Sequence, residues 1–179
     1  MLQNDIKKVL VTHEEIVERS IELGKQITED YKDNHNDVLF VGILKGSVPF
    51  MAELVKRIDL NLQYDFIAAS SYVGTESAGD IKIVKDLDCS VVDRDIVLIE
   101  DIIDTGLTIK KLKELLYHKG AHDVKVVALL NKQSRRTCDI NADYVGFEIE
   151  NEFVIGFGLD FQQNYRNLPY VGVLKEECY

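Results

Sequence analysis

The sequence is poor in the residues that build disulfide frameworks and cysteine metal sites. Its three cysteines, Cys89, Cys138 and Cys178, are odd in number, widely spaced and free of any CxxC pair, so reduced thiols are expected. Long apolar runs are also missing. The longest, such as residues 38–44, fall well short of the ~20 residues of a membrane span, and residues 1–10 are too polar for a secretory signal. A cytoplasmic protein that engages no membrane is expected. Positive charge is scarce: 21 Lys and Arg stand against 31 Asp and Glu, a net charge of -10 that repels a phosphodiester backbone. Nucleic acid is therefore not an expected partner. A small anion stays open, because backbone amides lining one loop are independent of the outer field. No GxGxxG opens a helix after a strand, which sets aside a Rossmann-type dehydrogenase. His13, His35, His118 and His122 lack zinc-ligand spacing, which sets aside zinc hydrolysis.

What is present suits a globular chain: 46% hydrophobic residues against 29% charged, over 179 residues, enough for one core and one domain spanning 1–179. Thr12 and Glu15 form a capping-box pattern ahead of Ile16, Ser20, Leu23, Ile27 and Tyr31 at helical spacing. Residues 38–44 read as a strand covered on both faces, and Ser47 with Pro49 opens a helix to about 58. Strands are expected at 62–69, 81–84, 95–99, 124–130, 144–148 and 153–157, with a helix at 108–119 closed by Gly120. Residues 70–80 lack apolar periodicity and read as a mobile loop. Alternating helices and apolar strands imply an α/β fold with a mostly parallel sheet. Such sheets bind ligands beyond the carboxyl ends of their strands.

Three polar segments follow the strongest predicted strands: Lys45-Gly46-Ser47, residues 100–108, and Asn131-Lys132. In residues 97–108, VLIEDIIDTGLT, an apolar strand runs into three carboxylates and a Thr-Gly-x-Thr turn entering a helix. Thr105, Gly106, Leu107 and Thr108 offer backbone amides, hydroxyls and a helix start that hold a phosphate monoester without a lysine. Glu100 and Asp101 can accept from sugar hydroxyls or balance hydrated Mg2+. Together these describe a ribose 5-phosphate site.

This segment resembles the phosphoribosyl pyrophosphate signature of type I phosphoribosyltransferases, in the EDIIDTG form typical of the hypoxanthine-guanine phosphoribosyltransferases. The resemblance extends from about Ile6 to Leu174. It implies a central, mostly parallel sheet flanked by helices, a small hood, and a flexible active-site loop beginning at Ser71 and Tyr72. It also implies transfer of phosphoribosyl from phosphoribosyl pyrophosphate to hypoxanthine or guanine, giving IMP or GMP and pyrophosphate, with Mg2+ and a homodimer or homotetramer. ILKGS, residues 43–47, resembles the diphosphate loop, with Lys45 and Gly46 as ligands and a cis Leu44–Lys45 peptide. Asp104 would take the purine's proton. Lys132 resembles the lysine that donates to O6 of a 6-oxopurine, which adenine's amino group cannot satisfy. Phe153 would stack on the base and Val154 read it through the backbone. Asp160 matches a carboxylate near a second metal and the exocyclic region, with Glu100 and Asp101 holding the first, and Arg166 matches a diphosphate-side arginine. Two departures stand out: Leu107 occupies a position where many relatives have lysine, and residues 133–136 lack the proline often found after Lys132. Rival readings are transfer to xanthine or a pyrimidine, and a regulatory binder that kept the motif without catalysis.

Overall fold

The computed structural model describes residues 2–71 and 81–178. A short 3-10 turn leads into β1 (Ile6–Val11), and Thr12 then caps α1 (His13–Tyr31). Glu15 N–H donates to Thr12 Oγ1 at 3.2 Å while Thr12 N–H donates to Glu15 Oε2 at 2.8 Å. The buried stripe of α1 is Ile16, Ser20, Leu23, Gly24, Ile27 and Tyr31, as its 3.6-residue period requires. Then follow β2 (Val38–Leu44), α2 (Val48–Leu54), β3 (Gln63–Ser71), β4 (Ile81–Lys85), β5 (Asp95–Ile103), α3 (Leu107–His118), β6 (Asp123–Asn131), β7 (Tyr144–Glu148), β8 (Val154–Ile155) and β9 (Val171–Leu174).

Six strands form the main sheet in the order β4-β3-β2-β5-β6-β7; only β4 runs antiparallel to its neighbour. Both faces are covered. Val97, Ile99, Val127 and Leu129 pack toward α1 and α2, whereas Ile96, Leu98, Val126 and Ala128 pack with Ile109, Leu112 and Leu116 of α3. That two-sided burial is why these strands read as unbroken apolar runs. Strands β1, β9 and β8 make a separate antiparallel hood.

Some expected boundaries shift for identifiable reasons. β5 does not stop at 99: Glu100 pairs with Ala128, Ile102 with Leu130 and Ile103 with Asn131, so two carboxylates lie inside the strand. The expected strand at 153–157 shortens to Val154–Ile155, because Gly156, Phe157 and Gly158 take φ values of 91, 47 and 100° that no strand accommodates. α2 ends at Leu54, followed by a 3-10 turn to Arg57 and an extended Ile58. β1 and β9, unmarked in the pattern, are held by each other, and only Val11 of β1 is buried.

Candidate active site

The adjacent strands β2, β5 and β6 end beside one another at Leu44, Ile103 and Asn131 and deliver three loops to one edge. Strand alternation then sorts the carboxylates of β5. Asp101 follows Val97 and Ile99 onto the α2 side, where its Oδ2 sits 1.6 Å from the place a Cβ on Gly46 would occupy. Gly46 is thus required by contact, since its φ is not in the left-handed region. Asp101 Oδ1 accepts from Ile102 N–H at 2.7 Å. Glu100 follows Ile96 and Leu98 onto the α3 side and lines a cavity of about 100 Å³ with Asp104, Thr105, Gly106, Thr108 and Ile109. Its Oε2 is buried without a protein partner.

Burial, and secondarily the charge of Asp101, push the Glu100 carboxyl well above its ordinary range. Burial also raises Asp101, although the Ile102 N–H, a hydrogen bond with the Glu100 carboxyl and the nearby Arg166 charge pull against it. The two acids are therefore costly in the free protein, and suited to a ligand that brings compensating charge or donors.

Beyond Asp104 the chain turns through Gly106 at φ 85° and starts α3 at Leu107, whose N–H also contacts Thr105 Oγ1 at 3.4 Å. Leu107 faces outward, at 38% exposure, and Thr108 is half-buried. The segment after β6 braces this turn: Lys132 N–H donates to Ile103 O, Thr137 N–H to Thr105 O at 3.1 Å, and Arg135 Nε to Asp104 Oδ1 at 3.2 Å. Lys132 itself is 8% exposed, where a lone surface-loop lysine would be solvated, and burial lowers its pKa against the opposing charge of Asp104.

On the other flank the Leu44–Lys45 peptide is cis. A Cβ on Gly158 would fall 1.9 Å from Gly46 O, so the hood-side turn packs directly onto the loop after β2. Arg166 donates through Nη1 to Gly158 O at 2.6 Å and pairs through Nη2 with Asp160 Oδ1 at 2.7 Å. Gln163 receives both Arg166 Nη2 at 3.1 Å and Lys45 Nζ at 3.4 Å on its Oε1. Lys45, Gly46, Asp101, Asp160 and Arg166 are thereby brought into one linked group. Phe153 stands at the hood, 40% exposed and edge-on to Phe161, while Val154 is buried in β8. Ser71 closes β3, and Tyr72 lies outside the described residues. Gln163, Gly158, Arg135 and Arg136 were not singled out by the sequence. The first two join the site only through long-range contacts, and the adjacent arginines carried a weak signal in their position after Lys132.

Among the described residues no group of three or more His, Cys, Asp or Glu side chains converges as a ready metal cage. A metal held at Glu100 and Asp101 would need further oxygens from a ligand or water, which is the usual habit of Mg2+.

A glycine turn entering a helix, a buried acid pair and a basic, hooded flank at the end of a parallel sheet define an α/β protein with one ligand-binding edge. A family model for the phosphoribosyl transferase domain matches residues 8–162. The chain is 57% identical over 179 residues to the hypoxanthine-guanine phosphoribosyltransferase of Lactococcus lactis subsp. lactis, covering 99% of this chain and 96% of the relative. It is 54% identical over 180 residues to that of Streptococcus agalactiae serotype V, covering 100% and 99%. The crystal structure of a hypoxanthine phosphoribosyltransferase from Staphylococcus aureus superposes with a TM-score of 0.94 at 49% identity, covering 99% of this chain and 96% of that one. The chain belongs to the phosphoribosyltransferases and, within them, to the hypoxanthine-guanine phosphoribosyltransferase family.

Proposed function

We propose that this protein transfers the 5-phosphoribosyl group of phosphoribosyl pyrophosphate to N9 of hypoxanthine or guanine, giving IMP or GMP and pyrophosphate, as a purine-salvage enzyme. The observation that carries this reading is the convergence, at one edge of β2, β5 and β6, of the 104–108 turn, the Glu100–Asp101 pair and the buried Lys132. The turn would receive the 5-phosphate through backbone N–H groups. Glu100 and Asp101 would accept from the ribose hydroxyls, and Lys45, Gly46 and Arg166 would hold the diphosphate. Phe153 would stack on the purine, Val154 would read its edge, and Lys132 would donate to O6.

The bond from C1 of the ribose to the diphosphate oxygen breaks as the N9–C1 bond forms, and the proton lost by the purine passes to Asp104. The buried, oxygen-only pair Glu100 and Asp101 suits Mg2+; these two would hold one ion, and Asp160 would help to hold a second. Bound there, the metal would neutralise charge gathering on the departing diphosphate. Water must be kept from the ribosyl centre, a task we assign to the segment that starts at Ser71 and Tyr72, which from Tyr72 to residue 80 lies outside the described residues. In this reading the protein acts as one domain in the cytoplasm, as a homodimer or homotetramer.

The test is pyrophosphate release with phosphoribosyl pyrophosphate and Mg2+, offering hypoxanthine, guanine, xanthine, adenine or uracil separately. Release with the first two and not with adenine is expected. No release with any base would refute the reading.

A further inference from the structure

Of the two arginines after Lys132, Arg136 has a setting that no role given above explains. The sheet fixes its surroundings: Ile103 of β5 pairs with Asn131 of β6, which pairs with Glu148 of β7. Asn131 is 4% exposed. Its Nδ2 donates to Glu148 Oε1 at 2.8 Å, and its Oδ1 accepts from Arg136 Nη2. The guanidinium is thus tethered through a buried amide to an exposed carboxylate on the next strand.

Its other side lies against the turn. A Cβ placed on Gly106 would fall 2.9 Å from Arg136 Cδ and 3.1 Å from its Nη1. Arg136 Nε and Nη1 are both buried and have no hydrogen-bond partner, and among the described residues no carboxylate forms an ion pair with this side chain. A guanidinium cannot shed its proton at any accessible pH, so the free protein holds a charge with two unsatisfied donors. Such a group is costly unless an anion compensates it. The turn that Arg136 backs is the one assigned to the 5-phosphate. Arg135 does not supply the same thing, because it is half-exposed and already paired with Asp104.

We infer that Arg136 is a positioning residue for phosphate binding: tethered by Asn131 and Glu148, it holds the 104–108 turn in shape from behind and adds positive charge to the field the phosphate meets. The inference rests on the phosphate assignment of that turn. It also accounts for a turn that lacks a lysine at 107 in a protein of net charge -10.

The test titrates ribose 5-phosphate into wild-type, Arg136→Gln, Arg136→Lys and Glu148→Gln proteins by calorimetry at several salt concentrations, alongside steady-state kinetics. Arg136→Gln should weaken ribose 5-phosphate and raise KM for phosphoribosyl pyrophosphate by about tenfold, with kcat and KM for hypoxanthine within about twofold. Its affinity should also depend less steeply on salt, and Arg136→Lys, which keeps the charge and loses the fork, should recover most of the loss. Full affinity in Arg136→Gln, or equal losses in the Gln and Lys variants with wild-type salt dependence, would overturn the inference. Should Arg136→Gln fail to fold, Glu148→Gln, altered at an exposed side chain outside the turn, carries the test. A loss of about twofold is expected there, and unchanged affinity would overturn the inference. Wild-type protein that binds ribose 5-phosphate without turnover would sink the transferase reading alone, whereas wild-type protein that does not bind it would remove the phosphate assignment and this inference together.

Discussion

Gly46→Ala isolates the contact on which the two halves of the site depend. The new methyl would fall 1.6 Å from Asp101 Oδ2, and the loop cannot retreat freely because Gly158 already packs against Gly46 O. Asp101 must therefore move by roughly 1.5 to 2 Å to reach an ordinary contact. Doing so breaks its bond to Ile102 N–H at 2.7 Å. A hydrogen bond to a charged group contributes about 1.5 to 3 kcal/mol, and leaving a rotamer minimum costs about 0.5 to 1.5 kcal/mol. The expected loss is about 2 to 4 kcal/mol, or roughly 5 to 15 °C in Tm for a chain of this size.

The assay is thermal melting of a double-mutant cycle with Asp101→Ala. If the carboxylate is the obstacle, Gly46→Ala should cost less than about 1 kcal/mol once Asp101 is gone, a coupling of about 2 kcal/mol. Pyrophosphate release should stay low in both the single and the double variant, because relieving the clash does not restore the acid. An unchanged Tm in Gly46→Ala, or the same loss in both backgrounds, would refute the reasoning.

Asp104→Asn keeps the side-chain volume and removes the base, so kcat should fall by about 10²-fold or more while ribose 5-phosphate affinity holds within about twofold; wild-type turnover would remove Asp104 from the chemistry. Lys132→Met should weaken hypoxanthine by about 10- to 150-fold and narrow its advantage over adenine, read from kcat/KM for each base. Because burial lowers the Lys132 pKa, its charge burdens the folded state until pH passes that lowered value. The free Met variant should therefore melt above wild type near pH 7, with the gap closing as pH rises from the lowered value toward 10.5. At the opposite end of the sheet, burial raises Asp95, but bonds from His122 at 2.6 Å, Asn34 at 2.7 Å and Asn36 at 3.4 Å outweigh it and hold the carboxyl below 3.8. That stabilisation is present above pH 3.8 and is lost as pH falls through the depressed folded value. Asp95→Asn should lower Tm by roughly 4 to 10 °C at neutral pH and by progressively less in acid, as melting curves across pH would show.

Local signals carried well into the fold. Thr12 with Glu15 marks the start of α1 because a cap is a contact within four residues, and the apolar strands β2, β5 and β6 declare their two-sided burial in composition. The Thr105–Thr108 turn was legible for the same reason, since a run of small and hydroxyl residues at a strand's end has few other uses. β1 and β9 were not, because β1 is a strand only by virtue of β9, some 160 residues away with register shifts that blur any alternation, and β9 is held between β1 and β8. The burial of Lys132 was not legible, as it comes from packing that the residues beside it do not encode. The path of the 156–166 segment was only partly legible: Gly156 and Gly158 mark turns, but Phe157, Gln162, Gln163 and Tyr165 also take positive φ without being glycine.

The continuation of β5 through Glu100 and Asp101 matters more than a shifted boundary. On a loop the two acids would be solvated and would share whatever ligand came near. Inside the strand, Asp101 meets Gly46 while Glu100 lines the cavity beside the 104–109 turn, and the two carboxyls stay within hydrogen-bonding reach of each other. The ladder to Ala128 and Leu130 fixes both carboxylates against a rigid element. Rigidity carries a cost, since burial raises both acids and leaves Glu100 Oε2 unpartnered. The same edge holds the buried Lys132 and the unpaired donors of Arg136. The free protein thus keeps a buried acid pair and under-satisfied cationic donors at the ends of β5 and β6, beside the ion pairs Arg135–Asp104 and Arg166–Asp160, and a ligand that brings donors to the first and acceptors to the second would relieve both.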